Sequence, residues 1–275
     1  MNATEERTKP VRIGTNAAHI QLLMGVFSMA GTEEWPFRDA VRATWMRQPG
    51  VCKLSQQPLE GCTVYAAFVL GNDGHQDSGE DRDLVILDTF ENMNEGKSRS
   101  WFHLAATKYP WATHIMKLDL DAFPHVPYIL DNLGSHGKAC KNVYGGMLVT
   151  PCGEGKPYWP PCGCGPPVNS DFLSYESGDP NCFSYAQGGM YFLSRQLAEG
   201  AAAPGGWWDN EVLSNCYPED SVTGRAVMKY GREKKQCVSF VSWPRDKAGH
   251  HQPGPPARWS CRFHHPTPSP VSAKR

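Results

Sequence analysis

The sequence predicts an α/β fold in which helices flank a mostly parallel sheet. Residues 22–27 and 63–70 are nearly continuous apolar runs, and residues 114–123 alternate apolar and polar side chains. Apolar residues recur at helical spacing within 37–45 and again within 97–108. Continuous apolar strands are typical of sheets covered on both faces, and alternation of strands with helices builds such sheets. A chain of 275 residues is long enough for one large domain with its own core.

The first predicted helix carries a stripe of apolar side chains beside a stripe of basic ones. Phe37, Val41 and Trp45 recur at four-residue intervals, which predicts an apolar face toward the core. Arg38 and Arg42 share the neighbouring stripe. Two helical arginines often form only a solvated face, but guanidinium groups also suit the geometry of phosphate. The pattern therefore leaves a phosphate-binding pair and a solvated face as alternatives.

Two more strands and a crossover helix complete the predicted first half. The run at 63–70 ends at a Gly-Asn-Asp-Gly turn signal, and residues 83–88 predict a third, short strand. Within 97–108, Trp101 and Ala105 recur one helical turn apart. This helix would lead the chain into the strand that contains two aspartates.

The alternating run at 114–123 is the centre of the functional prediction. Asp119 and Asp121 leave the same face of the predicted strand, whereas Leu120 points into the core. Two neighbouring carboxylates repel each other unless a cation or hydrogen-bond donors offset their charge, and a hard divalent metal prefers oxygen ligands. Open parallel sheets bind ligands at the carboxyl ends of their strands. The pattern therefore leaves a metal site and a solvated strand exit as equal alternatives.

Residues 150–182 are rich in Cys, Pro and Gly and predict one long irregular loop. Such loops in compact domains are usually functional, and the aromatic residues of this one suggest an acceptor-binding lobe. Cys152, Cys162 and Cys164 have some look of a zinc site but lack the paired C-x-x-C spacing. The even number of cysteines favours disulfides formed in an oxidising compartment. The ten cysteines are at positions 52, 62, 140, 152, 162, 164, 182, 216, 237 and 261.

Regular structure is predicted again after this loop. Residues 184–194 have strand character and contain a glycine pair at 188–189, which indicates either a bulge or a close approach of the backbone to a ligand. Residues 221–230 have helical spacing. Asp220 or Ser221 is the expected N-cap of this helix.

The ends of the chain and its overall charge limit the possible partners. We expect residues 1–17 and 266–275 to be disordered tails around a single domain at 18–265. The sequence shows neither a signal peptide nor an apolar run long enough to span a bilayer, so we expect membrane contact only through an anchor outside it. Lysine and arginine number 27 against 28 acidic residues, which argues against nucleic acid binding.

An ordered series of motifs over residues 20–230 resembles family 31 of the glycosyltransferases. This family includes the β-1,3-galactosyl- and β-1,3-N-acetylglucosaminyltransferases and their protozoan relatives. The segments that resemble family motifs are Arg38 with Arg42 to Trp45, Phe68 to Gly71, Asp88 to Lys97, Lys117 to Phe123, Tyr185 to Ser194, and Glu219-Asp220 with Gly224. Leu120 replaces the middle aspartate of the family's K-x-D-D-D-x-F, and residues 150–182 match no part of the family pattern.

The resemblance implies an enzyme with a GT-A fold. It would be an inverting, metal-dependent transferase that moves galactose or N-acetylglucosamine from UDP-galactose or UDP-N-acetylglucosamine to a hydroxyl of a glycan, glycoprotein or glycolipid, with a β-1,3 linkage. Mn²⁺ or Mg²⁺ would be the cofactor, and the Golgi lumen or membrane the location. The alternatives are a catalytically silent carbohydrate-binding protein on the same fold and, less favoured by the residues around Asp119, a metal-dependent phosphohydrolase.

The resemblance also implies a role for individual residues. Asp220 would be the catalytic base, with Glu219 as the fallback. Asp119 and Asp121 would hold the metal together with a late histidine, His264 or His265, for which His250 and His251 compete. The nucleotide-sugar site would consist of Arg38, Arg42, Lys97, Asp119, Asp121, Gly188 and Gly189.

Overall fold

The computed structural model describes residues 20–72, 83–135, 140–150, 152–153, 158–244 and 246–250. His264, His265 and both predicted tails lie outside these ranges, and so does His251. No helix within the described ranges has the length and apolar character that crossing a membrane requires.

A mixed sheet forms the centre of the described structure. Its strands lie in the order β2-β3-β1-β5-β8-β7-β9. β4 pairs with the same edge of β3 as β2 does, but nearer the carboxyl end of β3. All pairings among the first five strands are parallel, while β8 runs antiparallel to both β5 and β7. The strands are β1 (Leu22–Phe27), β2 (Val51–Lys53), β3 (Val64–Leu70), β4 (Leu84–Ile86), β5 (His114–Asp119), β6 (Phe123–Pro124), β7 (Val143–Val149), β8 (Tyr185–Ser194), β9 (Ser239–Ser242) and β10 (Gly249–His250). The predicted fold class is confirmed.

Helices cover both faces of this sheet. One core layer joins apolar residues of α2, α4, α5 and α6 to one face, and the other joins α1 and α3 to the opposite face. The helices are α1 (Trp35–Ala43), α2 (Lys97–Lys108), α3 (Val126–Ser135), α4 (Arg195–Ala201), α5 (Trp207–Ser214) and α6 (Glu219–Glu233). Short 3-10 helices occupy Thr32–Glu34, Trp45–Arg47, Met93–Glu95 and Val168–Ser170. Burial on both faces explains why β1 and β3 are continuously apolar.

The predicted apolar stripe of the first helix is wrong at one end. Phe37 is 57% exposed, whereas Arg38 and Val41 are buried on the inner face of α1. The helix ends at Ala43, and Trp45 is buried from the following 3-10 turn. The predicted spacing treats Trp45 as a residue of the helix. Because Trp45 lies outside α1, counting back from it in steps of four residues reaches Phe37 on the solvent face.

Disulfides cross-link the long irregular segment and its surroundings. The bonds are Cys52–Cys62, Cys140–Cys237, Cys152–Cys162 and Cys164–Cys182, and Cys216 is also disulfide-bonded. This confirms the expectation of disulfides and removes the zinc alternative, because Cys152, Cys162 and Cys164 are all oxidised. Val149 of β7 pairs with Tyr185 of β8, so residues 150–184 form the connection of a wide hairpin.

Candidate functional site

The candidate site begins at the carboxyl end of β5. Asp119 is the last residue of this strand and aligns with Phe27, the last residue of β1. Asp121 lies in the turn after the strand, where the Ala122 N–H donates to the carbonyl of Asp119 at 3.0 Å. The strand argument therefore holds for Asp119 but not for Asp121, whose orientation is set by the turn. Leu120 packs against the core, as predicted.

Lys117 is fully buried on the same face of β5 as Asp119. Its Nζ contacts Asp119 Oδ1 at 2.6 Å and Glu219 Oε1 at 2.8 Å, and it also donates to the carbonyl of Gly188. The rings of Phe27 and Tyr191 lie 5.4 and 5.8 Å from it. Burial opposes the charged form, but the two carboxylates outweigh it and raise the pKa of Lys117. The ammonium group therefore stays charged inside the protein.

Glu219 is the second member of this buried ion pair. Its Oε2 accepts hydrogen bonds from Ser98 Oγ at 2.9 Å and from the Tyr191 hydroxyl at 2.7 Å, while Oε1 accepts from Lys117. Only 7% of the Glu219 side chain is exposed. Burial and the charge of Glu219 raise the pKa of Tyr191 well above its usual value. Its hydroxyl therefore stays protonated and donates a hydrogen bond to Glu219. The carboxylate of Glu219 is thus bonded on both oxygens.

Asp220 is adjacent in sequence but has a different environment. Its Oδ2 accepts from the Gly188 N–H at 3.1 Å and its Oδ1 from the Ser221 N–H at 2.8 Å. Burial first, and then repulsion by Glu219, raise the pKa of Asp220 to about 7, although the two N–H donors and Lys117 act in the opposite direction. A carboxylate that titrates near neutrality can take a proton from a substrate and release it again.

The first turn of α6 places both carboxylates. The helix begins at Glu219 with Pro218 as its N-cap, so the predicted N-cap, Asp220 or Ser221, is wrong. The Glu219 N–H donates instead to Asn94 Oδ1 at 3.1 Å, a hydrogen bond supplied by the 3-10 turn before α2. Negative side chains are favoured in this first turn by the helix dipole. The helix also approaches β8 closely, since a Cβ on Gly224 would lie 2.3 Å from the carbonyl oxygen of Ser184.

Gly188, the first residue of the predicted glycine pair, lies between Lys117 and Asp220. The carbonyl of Gly188 accepts from Lys117, and its N–H donates to Asp220. A Cβ at Gly188 would lie 3.3 Å from carboxylate oxygens of both Glu219 and Asp220, which leaves little space for a side chain. Gly189 donates its N–H to Gln187 Oε1 at 3.2 Å. Gly188 therefore has a clear local reason to be glycine, while its predicted contact with a nucleotide-sugar stays a prediction.

Lys97 and Arg42, two of the basic residues predicted to bind the nucleotide, are paired with other groups of the protein. Lys97 is buried, binds the Ser28 carbonyl at 2.8 Å and pairs with Glu91. Burial lowers the pKa of Lys97 in spite of this partner. Arg42 forms a two-pronged ion pair with Asp83, at 2.9 and 3.1 Å. Their assignment to nucleotide binding stays a prediction.

Arg38 is the most deeply buried of the predicted basic residues. It lies on the inner face of α1 and is fully buried. This position differs from the solvated face that the sequence left open as an alternative. Its predicted contact with nucleotide phosphate stays untested.

The residues available for a metal are oxygen donors. The Asp119 side chain is 23% exposed, and Asp121 is exposed in its turn. Carboxylate oxygens fit a hard divalent cation such as Mn²⁺ or Mg²⁺ in donor chemistry. Within the described ranges, no group of three or more His, Cys, Asp or Glu residues is close enough to form a metal cluster. The predicted metal site stays a prediction, and its histidines His264 and His265 are outside those ranges.

A cavity of about 560 Å³ is lined by Phe123, which follows Asp121 by two residues in the sequence. It is bounded by the small ribbon of β6 and β10 and by the start of α3. Its walls combine aromatic and charged side chains, which are Phe123, His125, Tyr128, Asp246, Lys247 and His250. The cavity therefore offers ligand-sized space, and the described residues that line it include neither Asp119 nor Asp121.

Sequence reasoning assigned no role to the residue that connects this site. Lys117 lies in the segment that resembles K-x-D-D-D-x-F, for which the resemblance implies roles only for Asp119 and Asp121. Its signal was a lysine inside an otherwise apolar, buried strand, since lysine is rarely fully buried without a partner. Ser98, Asn94 and Tyr191 carried no comparable signal, because their partners are distant in sequence.

Part of the chain matches a known family. A family model described as Galactosyltransferase matches residues 37–204, a range that includes Asp119 and Gly188 and ends before Glu219. Among curated proteins, no sequence match was found.

Three solved structures match most of this chain at low identity and low TM-score. The first is the inositol-1-phosphate CTP transferase from T. maritima, with 11% identity, a TM-score of 0.34, and 82% of this chain and 86% of that chain covered. The second is HddC from Yersinia pseudotuberculosis, with 10% identity, a TM-score of 0.36, and 81% of this chain and 90% of that chain covered. The third is the apo form of mouse xyloside xylosyltransferase 1, with 11% identity, a TM-score of 0.35, and 81% of this chain and 84% of that chain covered. At these TM-scores the similarity supports no argument about the site.

Proposed function

Because the chain belongs to the galactosyltransferase family, we propose that it is an inverting transferase that moves galactose or N-acetylglucosamine from a UDP-sugar to a glycan hydroxyl, with a β-1,3 linkage. Family membership confirms the resemblance found in the motifs and supports a glycosyltransferase. The donor, acceptor and linkage belong to the proposal. The disulfides support an oxidising compartment, and we place the enzyme in the Golgi lumen.

One observation carries the chemistry of this proposal. Asp220 has a pKa near neutrality and is linked to Asp119 through only two groups, the Gly188 backbone and the Lys117 ammonium. A carboxylate that can accept a proton is therefore connected, through one residue's backbone and one lysine, to a carboxylate suited to the sugar donor or to a metal. Glu219 supports this role for Asp220, because its own oxygens are already bonded to Lys117, Ser98 and Tyr191.

Asp220 would act on the acceptor hydroxyl. The hydroxyl oxygen forms a bond to the anomeric carbon of the donor as its proton passes to Asp220, and the bond from that carbon to the UDP oxygen breaks with its electron pair on UDP. A single displacement of this kind inverts the anomeric configuration.

Asp119 and Asp121 would hold Mn²⁺ or Mg²⁺. When bound, the cation supplies positive charge that neutralises the diphosphate. Lys97, Arg38 and Arg42 would shape the nucleotide side of the same edge of the sheet.

The test combines binding and turnover. Calorimetry of UDP binding with Mn²⁺ and with EDTA would be carried out on the wild type, Asp121→Ala and the control Asp131→Ala, which changes an exposed aspartate of α3. Binding that requires both the metal and Asp121 supports the donor site. No UDP binding by the wild type under any condition would exclude the transferase and favour a silent carbohydrate-binding protein.

A further inference from the structure

Lys117 occupies a central position that neither the motif nor the family match explains. Its ammonium nitrogen contacts both Asp119 and Glu219. Asp119 ends a parallel strand on the proposed donor side. Glu219 begins the helix that carries Asp220. The lysine thus joins two elements that are 102 residues apart in sequence.

All the hydrogen-bonding capacity of this ammonium group is used. A lysine nitrogen has three N–H donors, and here the three acceptors are Asp119 Oδ1, Glu219 Oε1 and the Gly188 carbonyl oxygen. The side chain is fully buried and is flanked by the rings of Phe27 and Tyr191. Its nitrogen therefore has one well-defined position, determined by three different elements of the fold.

The third acceptor connects the lysine to the proposed base. Gly188 accepts from Lys117 through its carbonyl oxygen and donates to Asp220 Oδ2 through its own N–H at 3.1 Å. A displacement of Lys117 would therefore be transmitted to the backbone that orients Asp220. Glu219 provides a second path, because it immediately precedes Asp220 in the first turn of α6.

Stability alone does not require this arrangement. Replacing a buried ion pair with apolar groups of similar volume is often neutral for folding, while the geometry it imposes is lost. The geometry matters here because a misplacement of a reacting group by about 1 Å can reduce a rate by about 100-fold.

We propose that Lys117 is a positioning residue that fixes the distance between the donor-side carboxylate Asp119 and the base Asp220. The inference rests on the proposed function for its catalytic consequence. Lys117 touches neither substrate nor reacting atom in this role. It acts through Gly188 and Glu219.

The test uses two variants and one control. Lys117→Met removes the ammonium group, and Lys117→Met/Glu219→Gln also removes the buried charge that the single change leaves uncompensated, so that failure to fold does not obscure the result. Lys108→Met, an exposed lysine of α2, is the control. We expect the double variant to lose about 100-fold in kcat. Its affinity for UDP with Mn²⁺ should stay within about threefold of the wild type, or increase, because a positive charge beside Asp119 has been removed.

Hydrogen exchange gives a readout that does not depend on turnover. In the peptide that spans residues 187–190, the Gly188 amide should exchange faster in the double variant than in wild type, while Lys108→Met leaves it unchanged. Unchanged exchange there, unchanged kcat, or a loss of UDP affinity parallel to the loss of kcat would each overturn the positioning role. A wild type that binds no UDP would overturn the proposed function instead, which the exchange measurement does not depend on.

Discussion

At the scale of single residues, the two neighbouring carboxylates of α6 have different surroundings. Glu219 is bonded to three side-chain donors, whereas Asp220 accepts from two backbone N–H groups and has a pKa of about 7. The difference arises because the first turn of the helix directs one side chain into the ion pair and the other toward Gly188. The family resemblance ranked Asp220 before Glu219 as the base, but the sequence does not show this difference in their surroundings.

Asp220→Asn should abolish transfer and spare UDP binding. Asparagine is nearly isosteric but cannot accept the proton, and the loss of a general base typically costs about 10² to 10⁴ in rate. The measurement is kcat beside the calorimetric affinity for UDP with Mn²⁺, with Asp131→Asn as the exposed control. Activity in the Asp220→Asn variant would show that another residue, such as Glu219, is the base.

The raised pKa of Asp220 also predicts the pH dependence of activity. Because the base must be ionised, kcat should fall as the pH decreases below about 7. The profile would be recorded between about pH 5 and pH 9 at saturating donor, a window that brackets this pKa. A rate independent of pH across that window would contradict Asp220 as the base.

The same residue predicts a pH-dependent difference in stability. The folded pKa of Asp220 is about 7 against an ordinary value of 3.8, so ionisation costs the folded state more than the unfolded chain. The wild type therefore loses stability relative to Asp220→Asn as the pH rises from about 4, and the loss is complete above about 7. The Tm of the variant minus that of the wild type should be larger at about pH 8 than at about pH 5. A constant difference would contradict the shifted pKa.

At the scale of elements, the approach of α6 to β8 positions Asp220, the proposed base. Gly224→Ala would place a methyl group 2.3 Å from the Ser184 carbonyl and 2.6 Å from the Tyr185 Cβ. Since backbone cannot move aside easily, we expect a loss of about 1 to 3 kcal/mol in unfolding free energy and a lower kcat as Asp220 shifts. Denaturant unfolding would measure the first effect, with Glu233→Ala at the exposed end of the same helix as control. Unaltered stability would contradict the close packing.

The extent of successful prediction also differs between elements. The predicted strands at 22–27 and 184–194 and the helix at 97–108 agree closely with β1, β8 and α2, because continuous or periodic apolar patterns reflect burial directly. The boundary at Glu219 was missed because Asn94, far away in sequence, supplies the first hydrogen bond of α6. Long-range partners of this kind leave no local pattern.

At the scale of the whole molecule, the disulfides should contribute unequally. Cys140–Cys237 closes a separation of 97 residues and ties the start of β7 to the start of β9, whereas Cys52–Cys62 closes only 10. The chain-entropy model then predicts that the longer loop is worth about 2 kcal/mol more. Paired Cys→Ser variants compared by Tm would show the larger decrease for Cys140 and Cys237. Equal decreases would indicate that chain entropy does not dominate.

The fold class is predictable from the apolar patterns and the family from the order of motifs, but the hydrogen-bond network of the site is not predictable from either. Asp119, Glu219 and Asp220 were named from sequence, while their connection through Lys117 and Gly188 depends on β8 lying antiparallel beside β5. That neighbour relation is a property of topology. Nothing in the local sequence of either strand specifies it.

The wide hairpin between β7 and β8 is cross-linked within itself and also packs into the main core, where Phe172 is fully buried. Val149 and Tyr185 pair at its base, and Cys152–Cys162 and Cys164–Cys182 close within it, so these two cross-links involve no other element. Because β8 runs antiparallel to β5, this base lies at the edge of the sheet where Asp119 ends its strand. A change in this segment would therefore alter what reaches the site and would also affect the sheet and α6, because Asp171 bridges to Ser239 of β9 and Ser221 of α6 donates to the Tyr158 carbonyl.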